Sequence, residues 1–338
     1  MKAIILAGGE GTRLRSVSGE LPKPMVPLLG RPILEHIIIL LKNCGFEDIC
    51  IAVRYRAEQI CDYFKDGGSL GVRIIYSRES EPMGTAGAVK GCHDFYGEDD
   101  FLVISGDAVC DMELDRLFEK HLSSGAAASA ALYKEKNPNR FGLALTDGEG
   151  IIHSFIEKPD WSRVVTDSVN TGIYVLSPAA MEYVPDGVPF DFGKDLFPLL
   201  LKKGEKLMGF DMDGYWCDVG TPLSYYKCCI DALEGRLKIS PADGFFQPQF
   251  EAVEDIPSDG IDCPCENRAA VMAVLSDAVM ELGADYSDGI RLETPFYSLH
   301  IAPRESISAI HVSVRAEDAE FAEELMLTAK ELIEKLEL

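Results

Sequence analysis

Along residues 2–123, short apolar runs alternate with amphipathic, helix-like stretches, and few folds other than a mostly parallel sheet flanked by helices accept that alternation. KAIILA at residues 2–7 is too short for a stable helix and is closed by Gly8-Gly9, which predicts a buried strand. Pro32 then opens ILEHIIILLKNCG, with Gly45 past its end, the proline-first, glycine-last asymmetry of a helix. The pattern repeats as a strand at DICIAV, a helix near 57–65, a strand at 72–76, a helix near 85–92, a strand at 101–104 and a helix at 114–123. From about residue 127 the stretches ASAALY, LALTD, IIHSFIE and TGIYVLS are β-rich, with helices near 178–183 and 192–202. They are expected to form an insertion covering the ligand edge of the sheet.

At 338 residues the chain exceeds what one hydrophobic core usually holds. The expected division is a first domain over residues 1–238, a linker over 239–258 rich in Pro, Asp and Gly, and a small α+β module over 259–338. That module reads as a helix at RAAVMAVLSDAVMEL, strands at GIRLET, YSLHIA and AIHVSVRA, and a last helix from Asp318.

Lys and Arg total 32 against 56 Asp and Glu, a formal charge of -24, so the long-range field repels nucleic acid and anionic membranes. Neither is expected as a partner, and a polyanionic substrate must be held by local donors. No apolar run approaches the roughly 18 residues of a membrane span, and the apolar start Ala3 to Ala7 runs into glycines, so a cytoplasmic protein is expected. The ten cysteines lack the spacing of a disulfide framework. Cys263-Pro264-Cys265 and Cys228-Cys229 also lack the pair spacing of zinc sites, so these residues read as reduced, buried small hydrophobes.

LAGGEGTRLR, directly after the first strand, has the composition of an anion cradle, in which glycines bring consecutive amide N–H groups close to a phosphate ahead of a helix. It is no Walker loop, since no Gly-Lys-Ser/Thr follows, and no dinucleotide fingerprint, since Leu14 stands at the third glycine. Arg13, Arg15 and Lys23, the last held between Pro22 and Pro24, supply local cations in this acidic chain. FLVIS ends in Gly106-Asp107, placing a carboxylate at the carboxyl end of a central strand, where open α/β sheets bind ligands. Asp218 in WCDVGTP stands at another strand end, and the two carboxylates together would suit Mg²⁺ if they converge. Glu81-Pro82-Met83-Gly84-Thr85-Ala86-Gly87 reads either as a loop presenting amides to a flat base or as a helix entry capped by Thr85. Glu157-Lys158-Pro159 is either a sugar- and phosphate-binding pair or a surface ion pair, and Asn170-Thr171-Gly172 reaches a sugar or caps a turn.

The blocks LAGGEGTRLR, LPKPMVPLLGRPILEH, EPMGTAGAVKG, VISGDAVCD, FIEKPDW, VNTGIYVLSP, FDFGKDLFPLLLKKGE and DGYWCDVGTP occur in that order, and over residues 1 to about 238 the chain resembles the sugar-1-phosphate nucleotidyltransferases. It is most similar to bacterial mannose-1-phosphate guanylyltransferases of the type fused to a phosphomannomutase. The resemblance implies a Rossmann-like domain that joins a nucleoside triphosphate to a sugar 1-phosphate and releases pyrophosphate. It places Gly8, Gly9, Gly11, Thr12 and Arg13 with Lys23 on the triphosphate, and Glu81, Gly84 and Thr85 at the base. It places Mg²⁺ on Asp107 and Asp218, the sugar against Gly142, Glu157, Asn170 and Thr171, and Lys158 on the sugar phosphate. Ser16 departs from the proline usual there, a change expected to alter loop stiffness alone.

The tail from IDCPCENRAAVMAVLSD onward resembles the C-terminal domain of phosphohexomutases. Its counterpart of the phosphate-binding loop runs Ala302-Pro303-Arg304-Glu305-Ser306-Ile307-Ser308, without the family's arginine and glycine and with Glu305 set to repel phosphate. The tail is therefore expected to pack or self-associate, in a homo-oligomer, instead of binding sugar phosphates. Two other readings compete: a non-catalytic paralogue binding nucleotide sugars or partner proteins, and a glycosyltransferase using Asp211-Met212-Asp213 as its metal motif.

Overall fold

The computed structural model describes residues 1–11, 14, 17, 19–135, 138, 141–157, 165–242, 260–279, 284–285, 289–294, 297–304, 308–316 and 319–337. The chain divides into two units, residues 1–245 and 246–338. In the first, β1 (Lys2–Ala7) is followed by a two-residue ladder of β2 (Pro27–Leu28) with β3 (Arg31–Pro32), then α1 (Ile33–Asn43), β4 (Asp48–Val53), α2 (Ala57–Phe64), β5 (Arg73–Arg78) and α3 (Gly84–Lys90). Next come β6 (Phe101–Ser105), β7 (Ala108–Cys110), α4 (Leu114–Ser124), β8 (Ala128–Lys134), β9 (Gly142–Thr146), β10 (Ile152–Glu157) and β11 (Ser168–Leu176). The unit closes with α5 (Phe197–Lys203), β12 (Leu207–Asp211), β13 (Trp216–Asp218) and α6 (Pro222–Leu233).

A nine-stranded sheet runs β10-β9-β11-β6-β1-β4-β5, with β8 on the other side of β11 and β12 beyond it. Only β10 and β11 run against the remaining strands, so the sheet is mostly parallel. Its centre is apolar on both faces because helices cover both; Ile4, paired with Cys50 and Val103, is fully buried, as are Ile5, Ile104 and Ile51. Each such side chain contributes about 1.5–3 kcal/mol on burial.

One sequence expectation is corrected here. The β-rich stretches after residue 127 are no separate cover, since β8, β11 and β12 continue the central sheet, and only the β9–β10 hairpin lies past the carboxyl end of β6. The reason is the length of β11. Its last residues, Ile173–Leu176, pair with β6, while Val169 reaches beyond β6 to pair with Leu143 of β9. A second difference is local. Residues 192–196 form a π-helical turn, with Leu196 N–H donating to the Asp191 carbonyl, before the regular α5 begins at Phe197 with Pro198 in its first turn.

His36 and His121 are 5% and 1% exposed, one ring bonded to the Leu28 carbonyl and the other to the Ser129 hydroxyl. Burial holds both imidazoles below the ordinary value of 6.5. A lowered folded pKa means that the unfolded chain binds more protons below about pH 6.5, so stability present above that pH is lost as pH falls through it. Urea midpoints measured on both sides of that pH should therefore drop on the acid side, and the slope should flatten in a His36→Gln, His121→Gln double variant. An unchanged slope would remove these residues as its source.

The second unit is an antiparallel sheet of β14 (Ile261–Pro264), β17 (Ala309–Ala316), β16 (Tyr297–Pro303) and β15 (Ile290–Glu293), in that order, with helices α7 (Arg268–Val279) and α8 (Ala319–Glu337). Alternate residues of β17, Ile310, Val312 and Val314, join Cys263, Cys265, Leu275 and Ile333 in its core. Arg304 is engaged by Asp262, Nε to Oδ1 at 2.9 Å, and by the His311 ring, while Glu305, Ser306 and Ile307 lie outside the described residues. All ten cysteines are free thiols, and no helix among the described residues is long and apolar enough to cross a membrane.

Candidate functional site

The carboxyl ends of β1 and β6 are spliced by the Gly106 N–H, which donates to the Leu6 carbonyl at 2.8 Å. A Cβ on Gly106 would stand 2.9 Å from that oxygen, so only glycine permits the approach. Past β1 the chain turns through Gly8 and Gly9 to Gly11, which takes φ +61° and passes so close to Lys23 that a Cβ would meet the lysine's own Cβ at 2.7 Å. Lys23 opens a 3₁₀ turn over Lys23–Met25 between its two prolines and is 8% exposed. The backbone proline constraint and this burial leave its ammonium one direction.

That direction is toward two carboxylates. Lys23 Nζ lies 2.5 Å from Asp107 Oδ2 and 3.4 Å from Asp218 Oδ1. The acidic residues, 111 positions apart in sequence, meet because β13 pairs antiparallel with β7, placing Asp218 opposite Ala108, and because Val219 N–H donates to the Asp107 carbonyl at 3.1 Å. Two hard carboxylate oxygens converging on one cation are the donor set by which Mg²⁺ is commonly held, the rest of its octahedron coming from water and substrate phosphate. These residues fit that ion. No group of three or more His, Cys, Asp or Glu among the described residues forms an all-protein metal cage.

A cleft of about 450 Å³ opens over this edge, lined by the glycine loop, Lys23, Asp107, Gly106 and Ser105 and by Glu79, Met83, Gly84, Thr85 and Asp191. Glu81 is exposed and does not line the cleft; Glu79, two residues earlier and half-buried, does. Burial pushes the Glu79 carboxyl up from its ordinary value, against the pull of Met83 N–H and Arg54. Gly84 takes φ +70° at the start of α3, with the Phe190 carbonyl 2.6 Å from where a Cβ would be. Thr85 does not cap α3 with its own hydroxyl. Its N–H and its Oγ1 both donate to Asp191 Oδ1, at 3.2 and 3.1 Å.

Three of the residues assigned to the sugar form a neighbouring cluster that does not line this cleft. Gly142 is paired with Glu157 across the β9–β10 hairpin, and a Cβ on it would meet Glu157 Oε2 at 3.0 Å and Asn170 Cβ at 3.9 Å. Asn170 donates to the Tyr174 hydroxyl at 2.9 Å. Thr171 is apart from them in character, since it is 3% exposed and its hydroxyl donates to the Ala131 carbonyl at 2.8 Å inside the register shift of β11. Its side chain is committed to the fold. Thr12, Arg13, Arg15 and Lys158 lie outside the described residues. The Asp211-Met212-Asp213 motif ends β12, where Asp211 stands 3.8 Å from Lys134 and no member lines the cleft.

Sequence reasoning missed Arg54, Glu79, Ser105 and Asp191. The strand expected at 72–76 runs to Arg78, which brings Glu79 to its end, and Asp191 lies within FDFGKDLFPLLLKKGE, where nothing local marks it for a role.

The profile of the nucleotidyl transferase family, described as "Nucleotidyl transferase", matches residues 2–234. A UTP–glucose-1-phosphate uridylyltransferase from Synechocystis sp. is 36% identical over 251 residues, 70% of this chain and 65% of that protein. The mannose-1-phosphate guanylyltransferase catalytic subunit beta of Drosophila pseudoobscura is 34% identical over 244 residues, 71% of this chain and 65% of that one. This chain thus spans about 65% of the length of these relatives. The crystal structure of HddC from Yersinia pseudotuberculosis complexed with GMP-PN superposes with a TM-score of 0.59 and 32% identity, covering 68% of this chain and 97% of that one. A glycine loop, a proline-held lysine and two aspartates gathered at one sheet edge, within a profile match that spans all of them, place the chain in the nucleotidyl transferase family.

Proposed function

We propose that the protein transfers a nucleotidyl group from a nucleoside triphosphate to a sugar 1-phosphate, with GTP and mannose 1-phosphate as the substrate pair. The observation that carries this reading is the meeting of Lys23 with Asp107 and Asp218 at the mouth of the glycine-lined cleft. The nucleophile is a sugar-phosphate oxygen already ionised at neutral pH, so no protein base is required. It forms a bond to the α-phosphorus as the bond to the β-phosphate oxygen breaks, and the electron pair leaves with pyrophosphate. The obstacle is bringing two anions together, which a net charge of -24 aggravates. Catalysis is therefore positioning plus local neutralisation, with the loop amides and Lys23 facing phosphate and Glu157 and Asn170 facing sugar hydroxyls. A Mg²⁺ held by Asp107 and Asp218 would supply positive charge at the α-phosphate and the departing pyrophosphate.

The choice of guanine rests on Glu79. A half-buried carboxylate offers only acceptors, and guanine presents adjacent N1–H and N2 amino donors, whereas uracil and thymine present one N–H between two carbonyls. The fly relative's name agrees with this base and the cyanobacterial relative's does not. Pyrophosphate release measured with GTP, UTP, dTTP and CTP, each with mannose, glucose and heptose 1-phosphates, decides among them. Mg²⁺-dependent release that is fastest with GTP and mannose 1-phosphate is expected. Preference for another pair rejects the substrates while leaving the class, and no release from any pair favours a non-catalytic binder.

A further inference from the structure

Asp191 lines the cleft and stands directly before the π-helical turn of residues 192–196. On one side it holds the helix that carries the base-side wall: its Oδ1 accepts both the Thr85 N–H and the Thr85 hydroxyl, and the Thr85 oxygen in return accepts the Phe192 N–H at 2.9 Å. The flanking backbone repeats the attachment. Phe190 N–H donates to the Met83 carbonyl at 2.8 Å, and the Phe190 carbonyl accepts the N–H groups of Ala86 and Gly87 at 2.9 and 3.0 Å. The first amides of α3 are thus spent on residues 190–191 and not on a ligand. The Asp191 backbone is itself fixed, since its N–H donates to Asp195 Oδ2 at 2.8 Å and its carbonyl accepts from Asp195 and Leu196 in the π-helical turn. Such turns recur at functional sites.

Met83 and Gly84, which line the cleft, therefore have their position set by a strap that lies 107 residues away from them in sequence. Gly84 takes φ +70°, and a Cβ on it would stand 2.6 Å from the Phe190 carbonyl, so the strap admits no side chain at this position. A carboxylate taking two hydrogen bonds from one threonine is the part of this attachment that a side chain controls. We infer that Asp191 is a positioning residue for the nucleotide, fixing the base-side wall of the cleft through Thr85. The inference rests on the proposed nucleotidyl transfer.

Steady-state kinetics of pyrophosphate release, with titration calorimetry of GTP and thermal unfolding of each variant, test it. In Asp191→Ala the KM and Kd for GTP should rise about tenfold, the size expected for losing hydrogen bonds to a charged group, while kcat and the KM for the sugar phosphate stay within about threefold. Asp191→Asn keeps Oδ1 as an acceptor and should restore most of the affinity. Thr85→Val should reproduce the Asp191→Ala defect, and the double variant should be no worse than the worse single one, because the two residues act through one contact. A wild-type enzyme that releases pyrophosphate while Asp191→Ala and Thr85→Val bind GTP normally would overturn the inference and leave the reaction standing. Loss of kcat and of both KM values together with a lowered unfolding temperature, unrescued by Asp191→Asn, would make Asp191 a structural residue and also overturn it. Absence of pyrophosphate release by the wild-type protein with any pair would reject the reaction, and this inference with it.

Discussion

Replacing Asp107 or Asp218 by asparagine is expected to lower turnover at least ~10²-fold, with the fold kept. Both side chains are about one-third exposed, 33% and 38%, so neither is a core residue whose exchange for an isosteric amide would disturb packing. Their convergence is made by backbone pairing of β7 with β13, which an asparagine leaves in place. What each substitution removes is a negative charge from the pair that would hold Mg²⁺, and with it the positive charge directed at the phosphates. Circular dichroism and unfolding temperature should stay near wild type while pyrophosphate release collapses. Wild-type rates in both variants would remove the metal site as proposed.

Lys23→Ala should lower kcat/KM by about 10²- to 10³-fold, because in the proposed reaction the ammonium would serve both in binding the triphosphate and as charge develops on the leaving group. Lysine is a compact point charge placed 2.5 and 3.4 Å from two carboxylates, and the planar guanidinium fork of arginine does not reproduce that geometry; Lys23→Arg should fail to rescue. The same geometry makes a second outcome of opposite sign. The ammonium sits 2.5 and 3.4 Å from the two carboxylates, where it competes with a divalent ion for them. Lys23→Ala should therefore bind Mn²⁺ more tightly than wild type when no nucleotide is present, a gain readable by titration calorimetry, even as its turnover falls. An unchanged kcat/KM would show Lys23 to be a loop residue only.

The sequence alone was enough for the elements whose residues answer to their immediate neighbours. DICIAV is the strand β4 without change of boundary, and KAIILA is β1, because a short apolar run between breakers has one way to be buried. Gly8, Gly9 and Gly11 marked residues that line the cleft, and the prolines around Lys23 marked it as fixed, since both effects are local restrictions on the backbone. Only the tertiary structure joined Asp107 to Asp218, because a three-residue ladder between β7 and β13 has no signature in either segment. The same applies to the other decisions. Local pattern identifies a strand but not its neighbours, so β8 and β11 read as part of an insertion although long-range pairing puts them in the central sheet. Thr171 looked like a sugar ligand until the register shift of β11 turned its hydroxyl onto the Ala131 carbonyl, and Asp191 had no role until the chain folded it against Thr85. Backbone preference and apolar periodicity are properties of adjacent residues and are legible in one dimension, whereas the direction in which a polar side chain finds its partner depends on chain segments a hundred residues away, brought together by burial of the sheet between them.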